Sequence, residues 1–169
     1  MAAQAGARPR KELTNAFVVA GGRVLLGMKK RGFGEGKWNG FGGKLQQGET
    51  ALEAAQRELL EEASVQMLDP QLVGRVTYTY EDMQEELLVH VFRATRWTPE
   101  EPRESEEMKP CWFALEDIPF ANMWADDEHW YEHMLGGSSF FTANFAFAKD
   151  HKTILQHDVK LDPLSKTSQ

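Results

Sequence analysis

The 169-residue chain has one cysteine, no long apolar run and too few basic residues to balance its acidic ones. With Cys111 alone, no intrachain disulfide can form, which favours a reducing compartment, and its apolar neighbours predict that it lies in the core. No segment approaches the roughly 18 apolar residues of a membrane span, and the opening MAAQAGARPRKEL lacks the apolar centre of a secretory signal. We therefore expect a cytoplasmic protein that crosses no membrane, although the basic opening is also compatible with a mitochondrial or nuclear fraction.

The shortage of positive charge also limits the partners. The net charge is −7 at pH 7, whereas a protein that grips polymeric DNA or RNA is expected to carry a basic surface. A single nucleotide is still compatible, because a bound cation can offset its phosphates locally. We expect a monomer that acts on a small molecule.

One domain is predicted over residues 13–162, between a disordered tail at 1–12 and a flexible tail at 163–169. Residues 14–20 and 23–30 are predicted to form strands joined by a tight turn at Gly21-Gly22. Further strands are predicted at 75–80, 87–94, 111–115, 140–148 and 153–161, and a late helix at 127–135, ended by Gly136-Gly137. This pattern indicates an α/β protein with a mixed sheet packed between helices.

A longer amphipathic helix is predicted from Thr50 to about Ala63. Thr50 and Glu53 have the spacing of a capping box, in which each residue satisfies a backbone N–H of the other at the helix start. At about 100° per residue, one apolar stripe is expected to face the sheet. That stripe contains Leu52, Ala55, Leu59 and Ala63.

Three glutamates of this helix, Glu58, Glu61 and Glu62, fall on an adjacent arc. A lone helical glutamate is usually a solvated surface residue, but three like charges on one arc repel each other and favour a divalent cation as partner. Magnesium is the leading candidate, because it prefers oxygen ligands and is held by a few carboxylates plus substrate phosphates. Arg57 either orients a glutamate through a two-pronged hydrogen bond or forms a weak surface ion pair.

A glycine-rich loop precedes the helix, with seven glycines in residues 32–48. Glycines let backbone N–H groups approach phosphate oxygens without a Cβ in the way, and Lys44 adds a positive charge. Such a loop alone is a weak signal, since many surface turns look the same. Its fixed distance from the carboxylate helix makes a phosphate site a specific prediction.

The combined spacing resembles a known family. Gly43, five residues, Glu49, seven residues and then the run RELLEE from Arg57 reproduce the Nudix box. Ser64 departs from it, because the family usually has glycine there, which suits a left-handed helix end. The segments RVLLGMKKRGFGEGKWNGFGGKLQQGET, ESEEMKPCWF and IPFANMWADD are similar to the animal oxidised-purine triphosphatases of this family.

The resemblance implies an α/β/α sandwich and Mg²⁺-dependent hydrolysis of oxidised purine nucleoside triphosphates such as 8-oxo-dGTP, with Mn²⁺ as a substitute ion. The products would be a nucleoside monophosphate and pyrophosphate, which sanitises the nucleotide pool. The residues implied in metal binding or catalysis are Glu58, Glu61, Glu62, Glu107 and, through its carbonyl, Gly42. The residues implied in substrate binding are Thr14, Lys29, Phe33, Asn39, Phe41, Gly42, Gly43, Lys44, Trp124, Asp126 and Asp127.

The residues that the resemblance implies in base recognition, Asn39, Trp124, Asp126 and Asp127, can also be interpreted from their own chemistry. An aromatic platform beside carboxyl groups suits a purine, which presents a flat face and a hydrogen-bonding edge, and Trp124 with Asp126 and Asp127 supplies both. The alternative is a helix start, with Trp124 as a hydrophobic staple and one Asp as the N-cap. Two further departures from the resembling branch touch the predicted pocket wall. They are Tyr78 and Tyr80 in place of phenylalanines, and Leu87-Leu88 in place of a Met-Asp pair.

The same residues are compatible with two rival functions. One is a Nudix hydrolase acting on a dinucleoside polyphosphate, a nucleotide sugar or capped RNA. The other is a sensor that binds a nucleotide without hydrolysing it, which the intact glutamate set disfavours.

Overall fold

The computed structural model describes residues 6–99 and 101–164, which form ten strands and two α-helices. In chain order these elements are β1 (Arg10–Ala20), β2 (Arg23–Lys29), β3 (Trp38–Asn39), α1 (Ala51–Ala63), β4 (Gln66–Leu68), β5 (Gln71–Tyr80), β6 (Glu86–Ala94), β7 (Arg96–Thr98), β8 (Met108–Ala114), α2 (Asp127–Gly136), β9 (Ser139–Phe147) and β10 (Ile154–Pro163). Within these ranges, no helix is both long and apolar enough to cross a membrane.

The main sheet is mixed, as predicted. Its order is β10-β9-β5-β6-β1-β2-β3, with β8 on the other edge of β2. Strands β1 and β6 are parallel, as are β5 and β9, and the other pairs of this sheet are antiparallel. Strands β4 and β7 form a separate two-stranded sheet. Parallel and antiparallel pairs in one sheet confirm the predicted mixed sheet.

Strand β1 diverges from β2 and leaves room for residues 41–44 of the glycine-rich loop, which we call the glycine turn. These two strands pair only next to their hairpin, at Val19–Val24 and Ala20–Arg23. Further along β1 its free edge pairs instead with the turn, through isolated bridges from Ala16 to Phe41 and from Leu13 to Lys44. The turn is therefore held beside β1 by backbone hydrogen bonds.

Side chains of β1 alternate between two buried cores, because successive strand residues point to opposite faces. Phe17 packs in the core that contains α2, whereas Val18 packs in the core that contains α1. One helix on each face of the sheet confirms the predicted α/β/α sandwich.

Helix α1 begins as predicted and ends in an unusual way. Thr50 and Glu53 form the complete capping box. Ser64 adopts the left-handed conformation, with φ 58° and ψ 34°, and its N–H donates to the Leu60 carbonyl. The cap that glycine favours is thus kept by a serine, at a cost in backbone strain of about 1 kcal/mol.

Two predictions about buried apolar residues are wrong. Leu52 is 41% exposed, whereas Ala55, Leu59 and Ala63 of the predicted stripe are buried, as is Ala54. The stripe has the predicted direction. Leu52 lies in the first turn of α1, and a side chain that points in this direction is buried only where another element packs against it. Cys111 is exposed, because it shares the outer face of β8 with Lys109.

The predicted tails are also shorter than expected. Residues 10–12 belong to β1, where Arg10 pairs with Glu86 and Lys11 with Leu87 in the parallel register. Arg10 also forms an ion pair with Glu86, at 2.6 Å. At the other end, Pro163 closes β10. The rest of the tail predictions at 1–5 and 165–169 lies outside the described residues.

Candidate active site

The glycine turn and α1 meet through two glutamates. Glu62 is buried, and its Oε1 accepts a hydrogen bond from the Gly42 N–H at 2.9 Å. A Cβ added at Gly43 would lie 2.5 Å from Oε1 of Glu58, and one added at Gly42 would overlap the Thr14 carbonyl. Glycine at these two positions therefore lets the carboxylates and β1 approach the backbone of the turn.

Burial makes the ionised form of the Glu62 side chain unfavourable. Its pKa is raised to about 8, chiefly by burial and next by the charge of Glu58. The side chain of Glu58 is 18% exposed, whereas that of Glu61 is 58% exposed. Two members of the predicted arc thus lie against the glycine turn, and the third faces outward.

Arg57 orients carboxylates, which decides between its two readings. Its Nε and Nη2 donate to the two oxygens of Glu49, at 2.5 and 3.1 Å. Its Nη1 donates to Glu58 at 2.9 Å, and Nη2 also donates to the Lys44 carbonyl at 3.2 Å. With Oε2 of Glu61 as a fifth acceptor at 3.4 Å, the partly buried guanidinium ties the helix to the turn and is no isolated surface pair.

The carboxylate of Glu107 forms ion pairs with two basic side chains. It precedes β8 and pairs with Lys29 at 3.1 Å and with Arg31 at 2.5 Å. Its pKa is lowered, chiefly by the hydrogen bond from Arg31 and next by that from Lys29. Glu107 is therefore an ionised carboxylate held by two basic side chains.

The predicted ligand set does not converge by itself. Across residues 6–99 and 101–164, no three His, Cys, Asp or Glu side chains are arranged to hold a metal ion. Basic side chains already pair with two of the predicted ligands, Arg57 with Glu58, and Lys29 and Arg31 with Glu107. The donor chemistry still fits magnesium, because all the donors are oxygens and the raised pKa of Glu62 reports charge that a cation would offset.

One cavity of about 630 Å³ runs from these carboxylates to α2. The predicted residues that line it are Thr14, Lys29, Phe33, Asn39, Gly42, Gly43, Lys44, Glu62, Glu107, Trp124, Asp126 and Asp127. Phe41 does not line it, because its side chain is fully buried in the core under α1. Glu58 and Glu61 also lie outside the lining residues.

Further residues line the same cavity without having been named as site residues. They are Leu13, Asn15, Arg31, Gly32, Gly34, Lys37, Gly40, Tyr78, Tyr80, Leu87, Val89 and Met108. Leu87 lines the wall and Leu88 does not, as strand alternation requires. Arg31 immediately precedes the glycine-rich loop and Lys37 lies within it, and these basic residues were the signal available in the sequence. With Lys29 and Lys44 they give the cavity four basic side chains in an acidic protein.

An acidic pair closes the far end of the cavity. Asp126 and Asp127 are both buried, and Oδ2 of Asp126 accepts hydrogen bonds from the Tyr78 hydroxyl at 2.5 Å and from Nε1 of Trp130 at 2.9 Å. Oδ2 of Asp127 is buried without a hydrogen-bond partner. Asp126 occupies the N-cap position of α2, as the alternative has it, but its side chain makes no capping hydrogen bond.

The carboxyl groups of Asp126 and Asp127 both have raised pKa values. Burial is the main cause for each, and for Asp127 the charge of Asp126 raises the pKa further. Two adjacent buried carboxyls cannot both ionise easily, which favours a proton on one of them. A pair with one proton would offer both a donor and an acceptor.

An aromatic platform lies beside the acidic pair. Trp124 stacks with Phe33 at a centroid distance of 5.0 Å, and Lys37 lies over the Trp124 ring at 5.1 Å. Trp124 therefore has a packing partner in the glycine-rich loop. Asn39 is fixed by its Oδ1, which accepts hydrogen bonds from the Gly40 N–H, the Asn15 amide and the Tyr131 hydroxyl. The Asn39 amide N–H₂ is left for a ligand.

Residues 11–134 match the profile of the NUDIX domain. The chain is 49% identical to the zebrafish (Danio rerio) protein called "Oxidized purine nucleoside triphosphate hydrolase" over 152 residues, which cover 90% of this chain and 94% of that protein. It is 45% identical to the mouse (Mus musculus) protein of the same name, with coverage of 87% and 92%.

A solved structure agrees with these relatives. The crystal structure of a MutT protein from Bacillus halodurans has a TM-score of 0.78 and 28% identity to this chain, covering 89% of this chain and 97% of that one. Both the profile and the relatives extend over the carboxylate helix, the glycine turn and the acidic pair. The chain belongs to the NUDIX family.

Proposed function

We propose that this protein is a magnesium-dependent hydrolase that converts oxidised purine nucleoside triphosphates into nucleoside monophosphates and pyrophosphate. The observation that carries the proposal is the single cavity with two chemically different ends. One end has glutamates, a glycine turn and basic side chains, which suit a metal-bound triphosphate. The other has an unpaired buried carboxyl oxygen beside an aromatic platform, which suits a purine. The names of the zebrafish and mouse relatives support the same substrate class.

The glutamates of α1 are the proposed ligands of magnesium, together with Glu107 and the Gly42 carbonyl. When bound, magnesium supplies charge neutralisation for the phosphates and a lowered pKa of water. Arg57 and the Gly42 N–H hold Glu58 and Glu62 in place, so the carboxylates are positioned before substrate arrives. Manganese, which also accepts oxygen ligands, is the expected substitute.

Basic side chains bind the triphosphate in this proposal. Lys29, Arg31 and Lys44 line the phosphate end of the cavity, and the N–H groups of the turn add donors. As Lys29 and Arg31 transfer from Glu107 to phosphate oxygens, Glu107 becomes free to act as a ligand. Substrate and metal would therefore assemble the site together.

Hydrolysis then requires a base. One carboxylate among Glu58, Glu61, Glu62 and Glu107 accepts the proton of the attacking water. The water attacks the β-phosphorus, and the nucleoside monophosphate leaves with the bridging oxygen. Hydrolysis in ¹⁸O-labelled water tests this regiochemistry, because attack at the β-phosphorus puts the label in pyrophosphate and attack at the α-phosphorus puts it in the monophosphate.

The base end supplies recognition. In this proposal the purine stacks on Trp124, while the protonated carboxyl of the acidic pair donates to a purine carbonyl and its ionised partner accepts from a ring N–H. Asn substitution of Asp126 and of Asp127, with affinities measured across pH, tests this part. Unchanged base preference in both variants would refute it.

A substrate panel separates the proposal from its rivals. Purified protein with magnesium is incubated with normal and oxidised purine triphosphates, a dinucleoside polyphosphate, a nucleotide sugar and capped RNA, and pyrophosphate and monophosphate are measured. The proposal expects fast pyrophosphate release from oxidised purine triphosphates. Turnover of another substrate class alone would support another NUDIX activity, and binding without turnover would support the sensor.

The remaining expectations follow from the same features. A cavity large enough for one small molecule and a net charge of −7 fit a monomer that binds no nucleic acid polymer. A lone, exposed cysteine suits the reducing cytoplasm. Size-exclusion chromatography with light scattering checks the first expectation, and cell fractionation checks the second.

A further inference from the structure

The hydroxyl of Tyr78 contacts the acidic pair, Asp126 and Asp127, at the far end of the cavity. It donates to Oδ2 of Asp126 at 2.5 Å, and Nε1 of Trp130 donates to the same oxygen at 2.9 Å. The Tyr78 ring is held by stacking on Phe145, with 6.1 Å between centroids and 23° between planes. Burial and the charge of Asp126 raise the pKa of Tyr78, so its hydroxyl keeps its proton and acts as a donor.

The two carboxyl groups of the pair therefore have unequal surroundings. Two donors on one oxygen favour the ionised form of Asp126. Oδ2 of Asp127 is buried without any hydrogen-bond partner, and it lies beside the Asp126 charge. These surroundings favour the protonated form of Asp127.

Other titratable groups around the pair do not reverse this order. His129 acts on Asp126 and lowers its pKa, which favours ionised Asp126, while Lys37 lowers the pKa of Asp127. Lys37 is already engaged over the Trp124 ring. Tyr80 and Tyr131, whose own pKa values are raised, stay neutral beside the pair.

We propose that Tyr78 is a positioning residue that sets base specificity: its hydroxyl keeps Asp126 as the acceptor and assigns the shared proton, and so the donor role, to Asp127. This inference rests on the proposed function, because it concerns how the same pocket selects its purine. Tyr78 acts through Asp126 and not by contact with the reacting phosphates.

A fixed order of donor and acceptor selects between two purine classes. A 6-oxopurine presents a carbonyl acceptor beside a ring N–H donor, whereas a 6-aminopurine presents an amino donor beside a ring nitrogen acceptor. In one bound orientation only one of these edges complements a given order, and the other leaves buried polar groups unpaired. Removal of the Tyr78 hydroxyl lets the proton move between the two carboxyls, so both edges can be accommodated.

The test compares Tyr78→Phe with Tyr80→Phe. Both variants remove a hydroxyl from the same wall of the cavity, but the hydroxyl of Tyr80 makes no hydrogen bond to Asp126. The readout is the ratio of kcat/KM for 8-oxo-dGTP, a 6-oxopurine, to that for 8-oxo-dATP, a 6-aminopurine. We expect Tyr78→Phe to move this ratio towards unity by about tenfold, the effect of losing one charge-assisted hydrogen bond.

The control separates the hydrogen bond from the shape of the wall. Tyr80→Phe is expected to leave the ratio near that of the wild type. An unchanged ratio in Tyr78→Phe, or an equal change in both variants, would overturn the proposal. If the wild type hydrolyses neither triphosphate with magnesium, the proposed function itself fails, which is a different result from an active enzyme with an unchanged ratio.

A second measurement needs no folded variant at residue 78. Carboxyl ¹³C NMR of the full-length protein labelled at aspartate reports the charge of each carboxyl group across pH. The proposal expects Asp126 to be ionised and Asp127 protonated at neutral pH. The opposite order in the wild type would contradict it.

Discussion

Replacement of Gly43 by alanine tests whether the glycine turn positions Glu58. The added Cβ would lie 2.5 Å from Oε1 and 2.8 Å from Cδ of Glu58, and the φ angle of Gly43 is not in the left-handed region. Alanine therefore adds no backbone strain, but it must push the carboxylate away by about 1 Å to reach an ordinary contact distance. A displacement of about 1 Å costs on the order of 100-fold in rate when a catalytic geometry is preorganised.

The assay is the steady-state rate of pyrophosphate release with saturating magnesium. We expect kcat of Gly43→Ala to fall about 100-fold while the thermal unfolding midpoint changes little. Gly136→Ala is the matched control, because a Cβ there meets no heavy atom within 4 Å, and its rate should equal that of the wild type. Wild-type turnover by a folded Gly43→Ala protein would refute the assigned role of the turn.

Three further predictions concern α1. Glu61→Gln is expected to lower kcat by orders of magnitude without a change in the circular dichroism spectrum, and near-normal turnover would remove Glu61 from the site. The pKa of Glu62 is raised from 4.5 to about 8, so its stabilising contribution is complete below pH 4.5 and is lost as pH rises towards 8. Urea unfolding in a metal chelator should therefore show Glu62→Gln gaining stability over the wild type across that interval, and a constant difference would contradict this. Ser64→Gly should raise the free energy of unfolding by up to about 1 kcal/mol, because Ser64 has φ 58°, and a loss of stability would show that its left-handed conformation carries no strain.

Local signals predicted much of the fold correctly. The Thr50–Glu53 capping box and the Gly136-Gly137 stop both act within one helical turn, so residue type and spacing determine them. The hairpin at Gly21-Gly22 is equally local, and both glycines have positive φ. The short strands β3, β4 and β7 gave no sequence pattern, because two or three residues are too few to show an alternation.

Contacts between distant residues explain what sequence reasoning missed. The bond from Tyr78 to Asp126 joins positions 48 residues apart, and it exists only because β5 and the start of α2 meet across the cavity. Burial of Leu52 and Cys111 was mispredicted for a related reason: periodicity gives a direction for a side chain, but the packing partner in that direction comes from the tertiary fold. The ion pairs that occupy Glu107 are likewise invisible in its local sequence.

The most direct test of the account is isothermal titration of magnesium into the full-length protein in the presence of a non-hydrolysable oxidised purine triphosphate. The same titration is made on a variant in which Glu58, Glu61 and Glu62 are replaced by glutamine. We predict magnesium-dependent heat with the wild type and its loss in the variant, which keeps the fold but not the charge. Equal magnesium binding by the two proteins, or none by the wild type with nucleotide present, would contradict the claim that this helix holds the catalytic metal.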